Sequence, residues 1–299
     1  MPSRPAQPYE AGSSFRPAFL FLKPEQRRAL SAFYGYARTV DDIADDMAVP
    51  SSEKEEALSA WRTRISALFA GAAPQGRLEE ELAWAVSAFS MREENLLLLL
   101  EGVEMDVRKN EYASFEELKY YMYRVASAVG LSALEIFGWR DGGAHAYAEN
   151  LGYAVQLTNI IRDVFEDARA GRTYIPLEDL KQFGCGTAAL RNSVYPDNFT
   201  KLMEFEASRA RAFYARAREL AAGTNKGRLL SAFIMGQIYS DLLDKMEARG
   251  FKTAGSRIHL NLFEKIRAVY RAWKQSRERR IGTKFQSKEF CLFCHPGRL

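Results

Sequence analysis

Apolar residues along this chain recur at the three-and-four spacing of helices and nowhere alternate as strands do, which predicts an all-α protein. From Pro24, the positions Ala29, Leu30, Phe33, Tyr34 and Ala37 mark the inner face of a helix running to Asp46. Pro50–Ser52 is expected to end it. Amphipathic helices follow at 53–70 and 77–90, separated by the turn-like Gly71–Gly76. Further helices are expected at 92–109, 115–138, 144–170, 199–222, 226–249 and 258–280, with Ser114 and Glu117 forming a capping box before the 115–138 segment. The stretch 177–198, containing Gly184, Gly186 and Pro196, reads as an irregular connection. With no linker-like break, the pattern predicts one bundle domain of nine or ten helices over 14–280. A flexible lead-in at 1–13 and a tail at 281–299 would flank it.

Composition narrows the class. A chain of 299 residues that is 47% hydrophobic can bury a large core, and 27% charged residues is ordinary for a globular protein. The net charge of +4 is mild, and no basic stripe is interleaved with aromatics, so nucleic acid is not expected as a partner. The longest apolar run, Leu96–Leu100, falls far short of the ~20 residues of a membrane span. The N-terminus has no apolar signal core and three cysteines give no disulfide framework, which together predict a cytoplasmic protein.

Against this background two acidic faces stand out. Asn159, Asp163 and Asp167 are spaced by four, so they stack along one face of the 144–170 helix. Leu157, Ile160, Ile161 and Val164 make the rest of that helix apolar, and Arg162 and Arg172 bracket the acids. Carboxylates four apart repel, and divalent cations bridging them to phosphate oxygens would relieve the repulsion. On the same reasoning, Asp163→Ala should leave the fold largely intact. The second face carries Asp41, Asp42 and Asp45, with Arg38 one turn earlier. Acids in a last helical turn oppose the helix dipole, which disfavours reading them as an ordinary helix end.

Carboxylates projecting inward from two helices can hold metal in a bundle core. Oxygen-only donors suit Mg²⁺ or Mn²⁺, and no histidine lies near these acids, as a di-iron site would need. Tyr121, Tyr123, Val125, Ala126, Val129 and Gly130 give one face of aromatic and small residues. That face is either tight helix packing or the wall of a channel for a long apolar chain. Metal, arginines and an apolar cavity together are what ionisation of an allylic diphosphate requires.

Four stretches carry a family resemblance: SSF at 13–15, YGYARTVDDIADD at 34–46, YRVASAVG at 123–130 and QLTNIIRDVFEDARAGRTYIP at 156–176. In order and spacing, over residues 13–255, they resemble the squalene/phytoene synthase family. The resemblance implies an isoprenoid-synthase helical bundle around a central prenyl cavity. It also implies head-to-head (1′-1) condensation of two prenyl diphosphates. Asp41, Asp42, Asp45, Asp163 and Asp167 would ligate Mg²⁺, supported by Asn159. Arg38, Arg162, Arg172 and Tyr239 would contact diphosphate. Phe15, Tyr34, Val125, Gly130, Leu134 and Gln156 would line the cavity, and Tyr121 would steady a cation or assist proton removal.

The stretch EMDVRKNEYASFEELKYYMYRVASAVGLSALEIFGW most resembles bacterial hopanoid-pathway presqualene diphosphate synthases, which use farnesyl diphosphate and stop at the cyclopropane. Phytoene synthases, which use geranylgeranyl diphosphate, share most of these residues. NADPH-dependent squalene synthases usually carry a C-terminal membrane anchor; none is visible, so NADPH is not expected. Rival readings are an all-α terpene cyclase and a non-catalytic scaffold of the same fold, against which the paired, intact aspartate motifs weigh.

Beyond the resemblance, residues 265–288 hold nine Lys or Arg against one acid. This is either a solvated helix end or a peripheral contact with an anionic membrane surface at its inner face, where downstream enzymes could take the product. Cys291-Leu-Phe-Cys294-His295 matches a c-type haem attachment pattern, and without an export signal a haem-carrying electron-transfer role is not expected.

Overall fold

The helical periodicity is realised along the chain. The computed structural model describes residues 16–140, 142–222, 229–255 and 257–277. Among them are thirteen α-helices and no strand beyond an isolated bridge between Glu111 and Thr173. In order these are α1 (Arg16–Phe19), α2 (Pro24–Asp45), α3 (Ser51–Phe69), α4 (Arg77–Phe89) and α5 (Glu93–Arg108). Next, α6 (Phe115–Met122) runs through a π-helical turn (Tyr123–Ser127) into α7 (Ala128–Phe137), making one continuous rod. Then come α8 (Ala144–Arg169), α9 (Leu177–Gln182), α10 (Thr187–Arg191), α11 (Phe199–Leu220), α12 (Leu230–Ala248) and α13 (Leu262–Arg277). With the rod counted once and the short α1, α9 and α10 set aside, nine long helices remain, as the periodicity predicts.

Local differences from the sequence reading have physical causes. α2 stops at Asp45, and Pro50 opens the next helix instead of ending the last one. Its extended backbone precedes the first turn of α3, and its carbonyl accepts from the amides of Glu53 and Lys54. The capping box ahead of α6 is half formed: Ser114 Oγ accepts from the Glu117 amide at 3.3 Å. The Glu117 carboxylate accepts instead from the Ala113 amide at 2.7 Å and pairs with Lys109. The connection at 177–198 is not irregular throughout, because buried Leu180 and Leu190 anchor α9 and α10. Phe15 and the Cys291, Cys294 and His295 tail lie outside the described residues.

α8 is the central element. It is buried along nearly its whole length and packs on α7, α10, α11, α12 and the π turn. A helix that is apolar all round belongs in a core, and the polar face of Asn159, Asp163 and Asp167 is the exception that points to a site. Thr158 ties α8 to α11 through a 3.0 Å hydrogen bond with Tyr214.

Two glycines set the spacing around the π turn. A Cβ on Gly152 of α8 would stand 2.7 Å from the amide nitrogen, Cα and Oγ of Ser127. One on Gly102 of α5 would meet Val125 Cγ1 at 2.5 Å and Arg124 Cβ at 2.8 Å. The turn is therefore clasped between helices that approach to backbone contact. Gly152→Ala should force α8 off the turn and cost about 1–3 kcal/mol. Gly142→Ala, which meets nothing within 4 Å, should cost far less. Guanidinium denaturation of both variants checks this, and equal midpoints would refute the clasp.

Candidate active site

α2, α5, the α6–α7 rod and α8, closed by residues of α1 and α12, surround a cavity of about 330 Å³. Its polarity is graded the same way on every wall. α2 lines it from Leu30 to Asp41, α5 from Leu99 to Asp106, and α8 from Tyr147 to Asn159. The rod runs the opposite way, from Tyr121 at the polar end to Phe137 at the apolar end. At 1.5 Å per residue, Leu30 and Asp41 lie ~16 Å apart along α2. The cavity is a slot with an acidic mouth and a hydrocarbon floor.

Tyr34, Val125, Gly130, Leu134 and Gln156 all line this cavity, and Arg38, Asp41, Tyr121 and Asn159 stand in its wall toward the mouth. The small-residue face both packs tightly and lines the cavity. Ala126, Val129 and Gly130 stand in the cavity wall, while a Cβ on Gly130 would also press the Ala148 carbonyl at 3.3 Å. Tyr123 turns away and pairs with His145 at 2.9 Å.

The mouth carboxylates are held by arginines. Asp163 is bound by Arg162, with Nε–Oδ1 at 2.7 Å, and by Arg257, with Nη2–Oδ2 at 2.9 Å. Burial pushes the Asp163 carboxyl up, but these hydrogen bonds outweigh it and hold the group below its ordinary value. The repulsion argument for Asp163 is thereby corrected: this acid is stabilised, and its removal would strand the buried Arg162. Asp45 accepts from Arg172 at 2.6 Å, and Asp42 pairs with Arg38 at 2.9 Å on the exposed side of α2. Tyr239 is buried behind the site and hydrogen-bonds Arg162, so it braces that guanidinium from outside the cavity wall.

Asp167, Asp41 and Asp106 carry the strain. Partial burial, with the neighbouring Asp163 charge, pushes Asp167 up to about 7. Asp41 is open to solvent from the mouth but walled in by protein, and this desolvation together with Asp45 raises it to about 6. Asp106, absent from the sequence-derived set, is likewise raised to about 6 by burial, although two tyrosines donate to it. Tyr121 reaches its Oδ2 at 2.8 Å and Tyr174 its Oδ1 at 2.7 Å. The Tyr121 and Tyr174 rings stack at 5.3 Å, with Tyr112 beside both.

Asp106 and Tyr174 left a faint trace in the sequence, an acid near a helix end and a tyrosine beside the Arg172 motif. Arg257 left none, because it sits between α12 and α13 where no periodicity marks it.

The donors fit a hydrated divalent cation. Among the described residues no three carboxylates converge into a ready-made cage. Mg²⁺ needs none, since it keeps several waters and takes one or two carboxylates along with phosphate oxygens. Asn159 Nδ2 approaches Gln156 Oε1 at 3.4 Å, while its Oδ1 is buried without a partner. A buried hard-oxygen acceptor left open on the face of Asp163 and Asp167 suits such an ion.

Comparison with known proteins gives the family. The family model for squalene/phytoene synthase matches residues 10–264. A presqualene diphosphate synthase of Zymomonas mobilis is 36% identical over 250 residues, covering 83% of this chain and 85% of its own. A 15-cis-phytoene synthase of Synechocystis is 32% identical over 266 residues, covering 85% and 78%. The crystal structure of a squalene synthase from Alicyclobacillus acidocaldarius matches with a TM-score of 0.75 at 25% identity, over 81% of this chain and 91% of its own. That of a dehydrosqualene synthase matches at 0.81 over 89% and 92%, and at 24% identity it speaks for the fold alone. The chain belongs to the squalene/phytoene synthase family of prenyltransferase-type enzymes.

Proposed function

We propose that the protein joins two farnesyl diphosphates head to head and releases presqualene diphosphate, without NADPH. The observation that carries the reading is the graded cavity, with acids and arginines at one end and hydrocarbon at the other. Presqualene diphosphate synthases at 36% identity favour farnesyl diphosphate over the geranylgeranyl substrate of phytoene synthases.

In this reading Asp41, Asp42, Asp45, Asp163 and Asp167, with Asn159, hold Mg²⁺. The ion, when bound, supplies positive charge to a departing diphosphate. Arg38, Arg162 and Arg172 orient that diphosphate, and Tyr239 holds Arg162 in place. Tyr34, Val125, Gly130, Leu134 and Gln156 enclose the prenyl chains and keep water from the allylic cation. The second double bond attacks that cation, and loss of a proton closes the cyclopropane. Tyr121 takes this proton on its phenol oxygen while its own passes to Asp106. The long hydrocarbon part of such a product partitions into lipid, and the reading includes peripheral contact with a membrane. No helix among the described residues is long and apolar enough to cross one.

Incubation with farnesyl diphosphate and Mg²⁺, with and without NADPH, should accumulate presqualene diphosphate in both cases by mass spectrometry. Squalene formed only with NADPH would mean a complete squalene synthase. Turnover of geranylgeranyl diphosphate alone would mean a phytoene synthase.

The two acids of α8 should separate in stability while agreeing in activity. Asp167, raised to about 7, holds a proton in the folded metal-free state that the unfolded chain releases above pH ~4. Its contribution to stability is thus present below pH ~4 and lost as pH rises through 7. Asp167→Asn should therefore raise stability at pH 8 by about 1–2 kcal/mol and change little at pH 4.5. Asp163→Asn should lower stability at pH 8 by about 1–3 kcal/mol, because the buried Arg162 loses its carboxylate counter-charge. Each should cut turnover about a hundredfold or more. Thermal unfolding at the two pH values and product assays check this, and stability shifts of equal sign would sink the account.

A further inference from the structure

α13 is built inside out. Its small residues Ala268 and Ala272 are fully buried against α12, while its large apolar residues face water. Phe263 is 82% exposed, Leu262 70%, Tyr270 61%, Ile266 57% and Trp273 37%. At ~100° per residue these five fall within an arc of about 100°, roughly opposite the alanines. Arg267 and Lys274 fall on one flank of the arc, Arg271 beyond them pairs with the buried Asp241 at 2.9 Å, and Arg277 stacks on Trp273 with its guanidinium carbon 4.0 Å from the ring centroid. The helix has one acid, Glu264, which Lys245 already pairs at 2.7 Å. Scattered exposed apolar residues need no explanation, but a contiguous stripe with one sign of charge beside it does.

We propose that α13 is the surface by which this protein docks on an anionic lipid bilayer. The stripe enters the boundary between headgroups and acyl chains, and the basic flank meets the headgroups. Charge decides between occupants. A second copy would bring the same cationic flank against this one, whereas an anionic bilayer supplies both the hydrocarbon and the opposite charge. Residues 278–288 continue the bias, with Arg279, Arg280, Lys284 and Lys288 against Glu278. The support of α13 also matters, since α12 contributes Ser231, Ala232 and Met235 to the apolar part of the cavity wall. The docking helix thus rests on the outer side of a cavity wall. This deepens the membrane-contact part of the proposed function and rests on that part alone. It is read without turnover, so its failure and that of the condensation reading are distinguishable.

The test is sedimentation of the full chain with vesicles of phosphatidylglycerol and phosphatidylcholine, against vesicles of phosphatidylcholine alone. Binding is expected to the anionic vesicles and to fall steeply with salt. Phe263→Ser combined with Ile266→Ser should lower it about tenfold or more, with an unchanged thermal unfolding midpoint. Brominated lipids should quench tryptophan fluorescence in the parent and lose that effect in Trp273→Phe, because Trp61 and Trp139 are buried and the half-buried Trp84 lies on α4 beneath Arg28. Equal binding by parent and serine variant, or quenching that survives in Trp273→Phe, overturns the proposal. So does a dimer that the serine substitutions dissociate while neither protein binds vesicles, which would give the face to a second copy.

Discussion

Everything in this molecule answers to one electrostatic constraint: carboxylates from three helices must stand together at the edge of a hydrocarbon cavity. Desolvation and mutual repulsion push Asp41, Asp106 and Asp167 above the ordinary carboxylate range. Charges so placed would move apart if the backbone carrying them could yield. It cannot, because the same helices are fixed by burial elsewhere. α8 is held by its apolar residues on both sides of the acidic face, and α2 by Phe33, Tyr36 and Val40 within the two or so turns before Asp41. Core packing thus holds the acids where charge alone would not keep them.

The π turn is where that packing and the site meet. It lies between α5 and α8, whose glycines let both backbones close on Val125 and Ser127. Tyr121 comes just before it, and Val129, Gly130, Ala133 and Leu134 just after, so one rod supplies both the phenol at the mouth and much of the hydrocarbon wall. π turns recur at functional sites because the extra residue re-aims a helix without breaking it. Here the re-aimed portions face a single cavity on both sides of the turn.

How much of this was legible in the sequence follows from what periodicity records. It records burial, so the long helices and the acidic faces on α2 and α8 could be read directly. The polar residues Asp163 and Asp167 were conspicuous because their surroundings, Ile160, Ile161 and Val164, are apolar. Partnership is not periodic. Nothing in the spacing tells that Arg257, 94 residues on, reaches Asp163, or that Arg172 reaches back to Asp45. The repulsion argument applied to Asp163 failed for that reason, since it counted the acids on one helix and could not count the cations from other segments. Asp106 was obscured differently. It is an unremarkable acid in a helix last turn until Tyr121 and Tyr174 are seen to close over it.

The arginine–carboxylate pairs also bear on how such a site could work. Asp163–Arg257, Asp45–Arg172 and Asp42–Arg38 join three segments of chain, and each member is of the kind a metal diphosphate would take. A divalent cation calls for the carboxylates, and a diphosphate calls for the guanidiniums. Binding both together would exchange internal pairs for external ones with the charge balance kept. Binding either by itself would strand the opposite partners. A site built from such pairs therefore favours the combined ligand over its parts, which is a physical reason for diphosphate and metal to bind together. The arginines paired with Asp163, Asp45 and Asp42 would then already stand beside the mouth for an anionic group arriving with a cation.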